Sequence, residues 1–109
     1  MILIVTKKAD DQTLEKVAQD FDGYIKVVID INRQVLSAGG LKHVDGEQVL
    51  LENGSKQQDA WGGGLDLETG EVDFDSMINI RPGQNNPSRE VLSMEIRKKM
   101  EEIIRKLLK

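Results

Sequence analysis

A chain of 109 residues is the size of one domain and too short for two, so a single α+β domain over 1–109 is expected. The chain has no cysteine, which excludes disulfides, thiolate metal sites and thiol catalysis and fits a reducing cytoplasm. A net charge of −4 argues against generic nucleic-acid binding, which depends on Lys and Arg meeting phosphates.

The apolar run from Met1 to Val5 precedes Lys7 and Lys8, the reverse of a secretory signal. Nothing approaches the ~20 apolar residues of a membrane span. Ile2–Val5 reads as a strand buried on both faces. Asp10 or Asp11 can cap a helix that carries Leu14, Val17, Ala18 and Phe21 on one side and stops at Gly23. Tyr24–Ile31, rich in Val and Ile, reads as a second strand. Strand, helix and strand in that order predict a parallel βαβ unit with a right-handed crossover.

Val35-Leu36 extends the sheet until Gly39-Gly40 breaks it. Asp45-Gly46-Glu47-Gln48 has a capping-box pattern, which predicts a short helix from Gln48 to about Glu52, stopped by Asn53-Gly54. Leu65 and Leu67, then Val72 and Phe74, alternate with acidic residues around Thr69-Gly70, the pattern of a β-hairpin. If its second arm runs on to Arg81, Ile78 and Ile80 join the core face, with Met77, Asn79 and Arg81 opposite.

Pro87 stands where a first helical residue would. In the last helix Ile96, Met100, Ile103, Ile104, Leu107 and Leu108 repeat at helical spacing. Glu95/Lys99, Glu101/Arg105 and Glu102/Lys106 support it as i, i+4 pairs. Residues 95–109 carry six basic side chains against three acidic ones, which a solvated helix face explains. The expected architecture is a mixed sheet with a βαβ-like unit, a central hairpin and a long amphipathic C-terminal helix packed on it.

No catalytic or cofactor signature is legible. Trp61-Gly62-Gly63-Gly64 lacks the spacing and the lysine of a phosphate loop and predicts a bend or bulge, with Trp61 in the core. His43, Asp45 and Glu47 could together touch one hard divalent ion. The plainer reading is preferred, with Asp45 as an N-cap, Glu47 in a first turn, His43 exposed and no metal.

Two polar clusters stand out, 55–61 and 79–89. The second runs off a strand, turns and enters the predicted helix, which would set free N–H groups beside two arginines and make an anion site. Its ligand-binding candidates are Asn79, Arg81, Asn86, Ser88 and Arg89, with Lys56, Gln57 and Asp59 nearby. Otherwise Asn86 and Ser88 cap the helix, and the arginines pair with Asp73, Asp75 and Glu90.

The leading expectation is a small binding or regulatory module for an anionic ligand. The enzymatic alternative is a hydrolase or transferase acting on a phosphorylated small molecule, with His43 or Asp59 as general base. A third reading is a protein partner, including a homodimer, through the C-terminal helix; RNA ranks last because of the overall charge.

Several runs, taken together, resemble a family of small uncharacterised prokaryotic proteins over nearly the full length. They are Tyr24–Asp30, Gly39-Gly40 with His43, Gly54–Gln57 with Trp61-Gly62, and Ile78–Pro82 with Asn86 and Ser88. Gly63-Gly64 departs from the more polar residues expected after Trp-Gly. The resemblance implies no activity and no catalytic residue.

Overall fold

A computed structural model describes residues 1–109. It has five strands: β1 (Ile2–Val5), β2 (Tyr24–Asp30), β3 (Val35–Gly39), β4 (Ala60–Asp66) and β5 (Val72–Asp73). The helices are α1 (Asp11–Ala18), α2 (His43–Glu52) and α3 (Met94–Leu107), with short 3-10 turns between elements. The fold class is α+β, as the pattern of elements predicts.

The sheet order is β1-β3-β2-β4-β5, and every neighbouring pair is antiparallel. The expected mixed sheet is therefore corrected. β1 and β2 do run the same way around α1, but β3 lies between them. The cause is local. Asp30 accepts hydrogen bonds from the Asn32 and Arg33 amides, both 2.9 Å, and Gln34 takes a left-handed φ of 60°. This tight turn folds β3 directly back onto β2 and leaves β1 the outer edge of β3. β1 is half-buried at Ile2, Leu3 and Ile4 rather than enclosed.

Alternation sorts the sheet into two faces. Ile25, Val27, Ile29, Leu36, Ala38, Trp61 and Leu65 face α1 and α3. With Leu14, Val17, Met100, Ile103, Ile104, Leu107 and Leu108 they belong to a core of 17 buried residues. The opposite face buries only Val28, Val35 and Ala60 against Leu50 of α2. At ~1.5–3 kcal/mol for each fully buried large apolar side chain, the first layer carries most of the hydrophobic stabilisation. α2 rests on a small apolar patch and on polar ties.

Asp10 caps α1 through the Thr13 amide at 2.8 Å. Phe21 lies beyond the helix, 40% exposed. The stop at Asn53-Gly54 holds, since Gly54 is left-handed at φ 103° and Ser55 N–H closes onto Leu50 O at 3.0 Å. The start of α2 is corrected. The helix opens at His43, five residues before Gln48, with Asp45 in its first turn and Lys42 at the N-cap without a side-chain cap.

The hairpin between β4 and β5 forms around 67–71, with Leu65 opposite Val72. Its second arm, however, ends as a strand at Asp73. Beyond it, Asn79 is fully buried and Ile80 is 42% exposed, the inverse of the predicted alternation. Asn79 explains the reversal: its side-chain amide pairs with both Gly62 N–H and Gly62 C=O, at 2.8 and 2.9 Å. One side chain stands in for a strand residue beside β4. The same amide also donates to Phe74 O and Arg89 O.

Gly62-Gly63-Gly64 forms neither a bend nor a bulge but the middle of a regular β4. A Cβ on Gly62 would meet Ser76 Cβ at 2.6 Å, and one on Gly64 would overlap the Tyr24 hydroxyl. The run is required for close approach. Trp61 is buried, as expected.

Candidate functional site

The two polar clusters do meet. Arg81 donates from Nη1 to Gln57 O at 2.7 Å, and Gln84 donates to Gln58 O at 3.0 Å. Arg81 also donates from Nε to Ile78 O and from Nη2 to Ala60 O and to Glu47 Oε2. Its guanidinium stacks 4.7 Å from the centre of the Trp61 ring. Both partners of the Arg81–Glu47 pair are about nine-tenths buried. Burial pulls Arg81 below its ordinary value and Glu47 pulls it back up. Arg81 thus ties α2 to the edge of β4.

Asn79 and Asn86 are likewise internal. Asn86 donates to Asn79 O, Ser88 O and Glu90 O and accepts from Leu92 N–H. Ser88 Oγ accepts from Glu90 N–H, and Arg89 pairs with Asp75 at 3.1 Å. No helix starts at Pro87. α3 begins at Met94, where Ser93 Oγ accepts from Ile96 N–H. The expected strand–loop–helix terminus is corrected accordingly: residues 86–92 wrap around the inward amide of Asn86 without forming a helix, and Ser93 supplies the cap.

Lys56 is exposed, and Asp59 lines a different cleft with Lys99 and Lys106. The apolar stripe of α3 is consumed by the core, and Arg97, Lys99 and Arg105 pair with Glu90, Glu95 and Glu101.

Of the nominated residues, His43 and Arg89 share a cavity. It measures about 540 Å³ and lies between the N-terminus of α2 and the segment 73–90. Tyr24 and Lys26 reach it from β2 because residues two apart on a strand share a face. Lys26 sits opposite Gly64, and the missing side chain there lets the Tyr24 hydroxyl donate across β4 to Asp73 Oδ2 at 2.5 Å. Burial, then the Asp73 carboxylate, push the Tyr24 phenol far above its usual value, so it stays a donor.

His43 opens α2, and its Nε2 lies 2.7 Å from Gly63 O. A carbonyl only accepts, so Nε2 carries the proton and Nδ1 keeps its lone pair. Burial lowers the His43 pKa below its ordinary value. The Gly63 hydrogen bond, Asp73 and Asp75 oppose that, and Lys26 adds to it. The balance favours the neutral ring.

Around the cavity Arg89 pairs with Asp75 and Glu90 with Arg97, whereas the Asp73 carboxylate has no cation partner and accepts from the uncharged Tyr24 hydroxyl and the Asp75 amide. Lys26 and Lys42 make no ion pair, and both line the cavity. His43, Asp45 and Glu47 do not converge; no group of three His, Cys, Asp or Glu side chains comes together anywhere in the chain.

Tyr24, Lys26 and Lys42 went unnominated. The signal was there in part: Tyr24 and Lys26 are same-face polar residues in a strand that is otherwise apolar until it ends at Asp30, and Lys42 precedes the lone histidine.

A family model described as protein of unknown function, DUF5674, matches residues 3–107. The chain belongs to the DUF5674 family. No curated protein and no solved structure matches it. Membership of DUF5674 assigns no role to any residue, so the cavity is read from its own geometry.

Proposed function

We propose that this protein is a binding module for a small anionic ligand, held in the cavity between α2 and residues 73–90. The observation that carries the reading is that Lys26 and Lys42 line this cavity without an ion pair, Lys26 with its ammonium 5.1 Å from the centre of the Phe21 ring, beside the uncapped N-terminus of α2. Two ammonium groups and a helix terminus favour negative charge, and Arg89 adds a third cation once it shares Asp75 with a ligand. The volume suits a metabolite rather than a polymer. Arg89 is retained from the sequence-nominated set as a ligand contact, joined by Lys26, Lys42 and His43. A cytoplasmic, prokaryotic setting belongs to the same reading, supported by the composition and the resemblance.

The test is titration calorimetry and thermal shift with phosphate, pyrophosphate, citrate and nucleotides. At a hundred times its dissociation constant a ligand adds ~2.7 kcal/mol, a shift on the order of 10 °C in a domain of this size. Lys42→Ala and Lys26→Ala each weaken binding about tenfold, the loss of one charge-assisted contact. Unchanged affinity in the double variant sinks the proposal.

One observation favours a second reading, acid–base catalysis on a phosphorylated small molecule. The His43 Nδ1 lone pair has no protein partner, and the ring lines the same cavity as Arg89. His43→Gln keeps an N–H for Gly63 O but removes the base. Turnover that survives His43→Gln excludes it. Because burial lowers the His43 pKa, the acid limb of the activity profile lies below the ordinary histidine value of about 6.5, and activity falls in acid.

A further inference from the structure

The cavity has a second chemistry beside its cations. Its apolar lining comes from Val44 in the first turn of α2 and from Met77 and Ile78 in the 3-10 turn Met77–Asn79. Val44 is 53% and Met77 66% exposed, although both sit at the mouth of a concave site. Neither belongs to the apolar cores, and neither is needed to cover them. Large apolar side chains left open around a cavity are an ordinary mark of a ligand surface. Ser76 caps the turn that carries Met77 and Ile78, its Oγ accepting from Ile78 N–H at 3.2 Å and its Cβ lying close over Gly62.

We infer that the ligand is an amphiphile: an anionic head, carboxylate or phosphate, at Lys26 and Lys42, with a short apolar body lying along Val44, Met77 and Ile78. This deepens the proposed function and rests on it. Charge argues for the head, because Lys26 and Lys42 are the cavity's cations without an ion pair. Adjacency argues for the body: Lys42 and Val44 stand two residues apart on the same wall, so one small molecule spans both. A purely polar anion would leave Val44 and Met77 facing water.

The experiment measures affinity along two homologous series, methyl to hexyl phosphate and acetate to hexanoate, with hexylammonium as the control. Burying a methylene completely raises affinity about fourfold. In a cleft open on one side the expected rise is about twofold per methylene. The series in which the slope develops identifies the head. Met77→Asn, at a position exposed enough not to disturb folding, flattens the slope and leaves methyl phosphate or acetate binding unchanged.

Affinity that ignores chain length overturns the amphiphile and leaves the anion module standing. Hexylammonium binding as tightly as the hexyl anions also overturns it, because charge is then not being read. Failure of every anion, inorganic phosphate included, removes the proposed function itself.

Discussion

Arg81 spends every nitrogen of its guanidinium on the protein: three carbonyls, one carboxylate and an indole face. A buried ion pair is a poor source of net stability but costly to break halfway, because the surviving charge stays desolvated. Arg81→Ala is therefore expected to lower the free energy of unfolding by about 3–5 kcal/mol, read from urea denaturation. Adding Glu47→Leu to Arg81→Met recovers most of that loss, whereas additive losses would show that the pair is not the cause. Tyr24 gives a second reading at this scale, because it is the only tyrosine and its phenolate absorbance reports it alone. Its folded-state pKa is raised above the unfolded value of about 10. Above pH 10 the unfolded chain releases a proton that the folded chain keeps, so stability falls as pH rises. Asp73→Asn brings the titration back toward the ordinary value; an unchanged titration would leave burial as the sole cause. Neither residue advertises its role in the sequence. Arg81 reads from the sequence as an anion contact and Tyr24 as the opening of a strand, and their actual partners lie 21 to 49 positions away.

The helices and strands were legible in proportion to how local their determinants are. Asp10 caps α1 through a bond spanning three residues, as the sequence predicts; Ser93 caps α3 over the same span, although the sequence points to Pro87 for that start. The stripe Met100, Ile103, Ile104, Leu107 repeats with the helix period and is buried as a unit. The β4–β5 hairpin announces itself by alternation on either side of a glycine turn. What alternation cannot state is which strand lies beside which, so β1 and β2 were paired in expectation while the turn at Asp30 inserted β3. For the site, His43 and Arg89 were legible and their meeting was not. The packing of α2 is testable directly. A Cβ on Gly46 would stand 2.7 Å from Ser37 Oγ, the contact that sets how closely this helix sits on β3. Gly46→Ala should cost about 1–3 kcal/mol by overpacking, despite the better helix propensity of alanine. In a Ser37→Ala background the nearest atom becomes a Val28 methyl at 3.3 Å, and the penalty should shrink. A double-mutant cycle with no coupling would mean that α2 is not seated by this contact.

The molecule is lopsided: 17 buried apolar residues cluster on one side of the sheet and 4 on the other. The thinner side bears the cavity. Local opening favours regions with few buried apolar contacts. Amides of α2 and of residues 74–92 should therefore exchange with solvent faster than those of β2, β4 and α3, as hydrogen-exchange mass spectrometry would record. A bound anion should slow the α2 amides selectively. Uniform exchange across the two layers would contradict this division.

The Asn79 amide beside Gly62 also bears on self-association. A sheet propagates from molecule to molecule only where an unpaired strand edge can act as a template. On the β4 side that template is withdrawn, first by one amide group and then by residues 89–91 pairing back onto Phe74 and Ser76. β5 borders this side with only two residues, too short to act as a template, so β1 is left as the one extended open border. A body with one adhesive border can form pairs, whereas endless stacking requires two. Asn79→Leu would lose more than a few hydrogen bonds, because it would reopen the second border and give the chain a route to fibres.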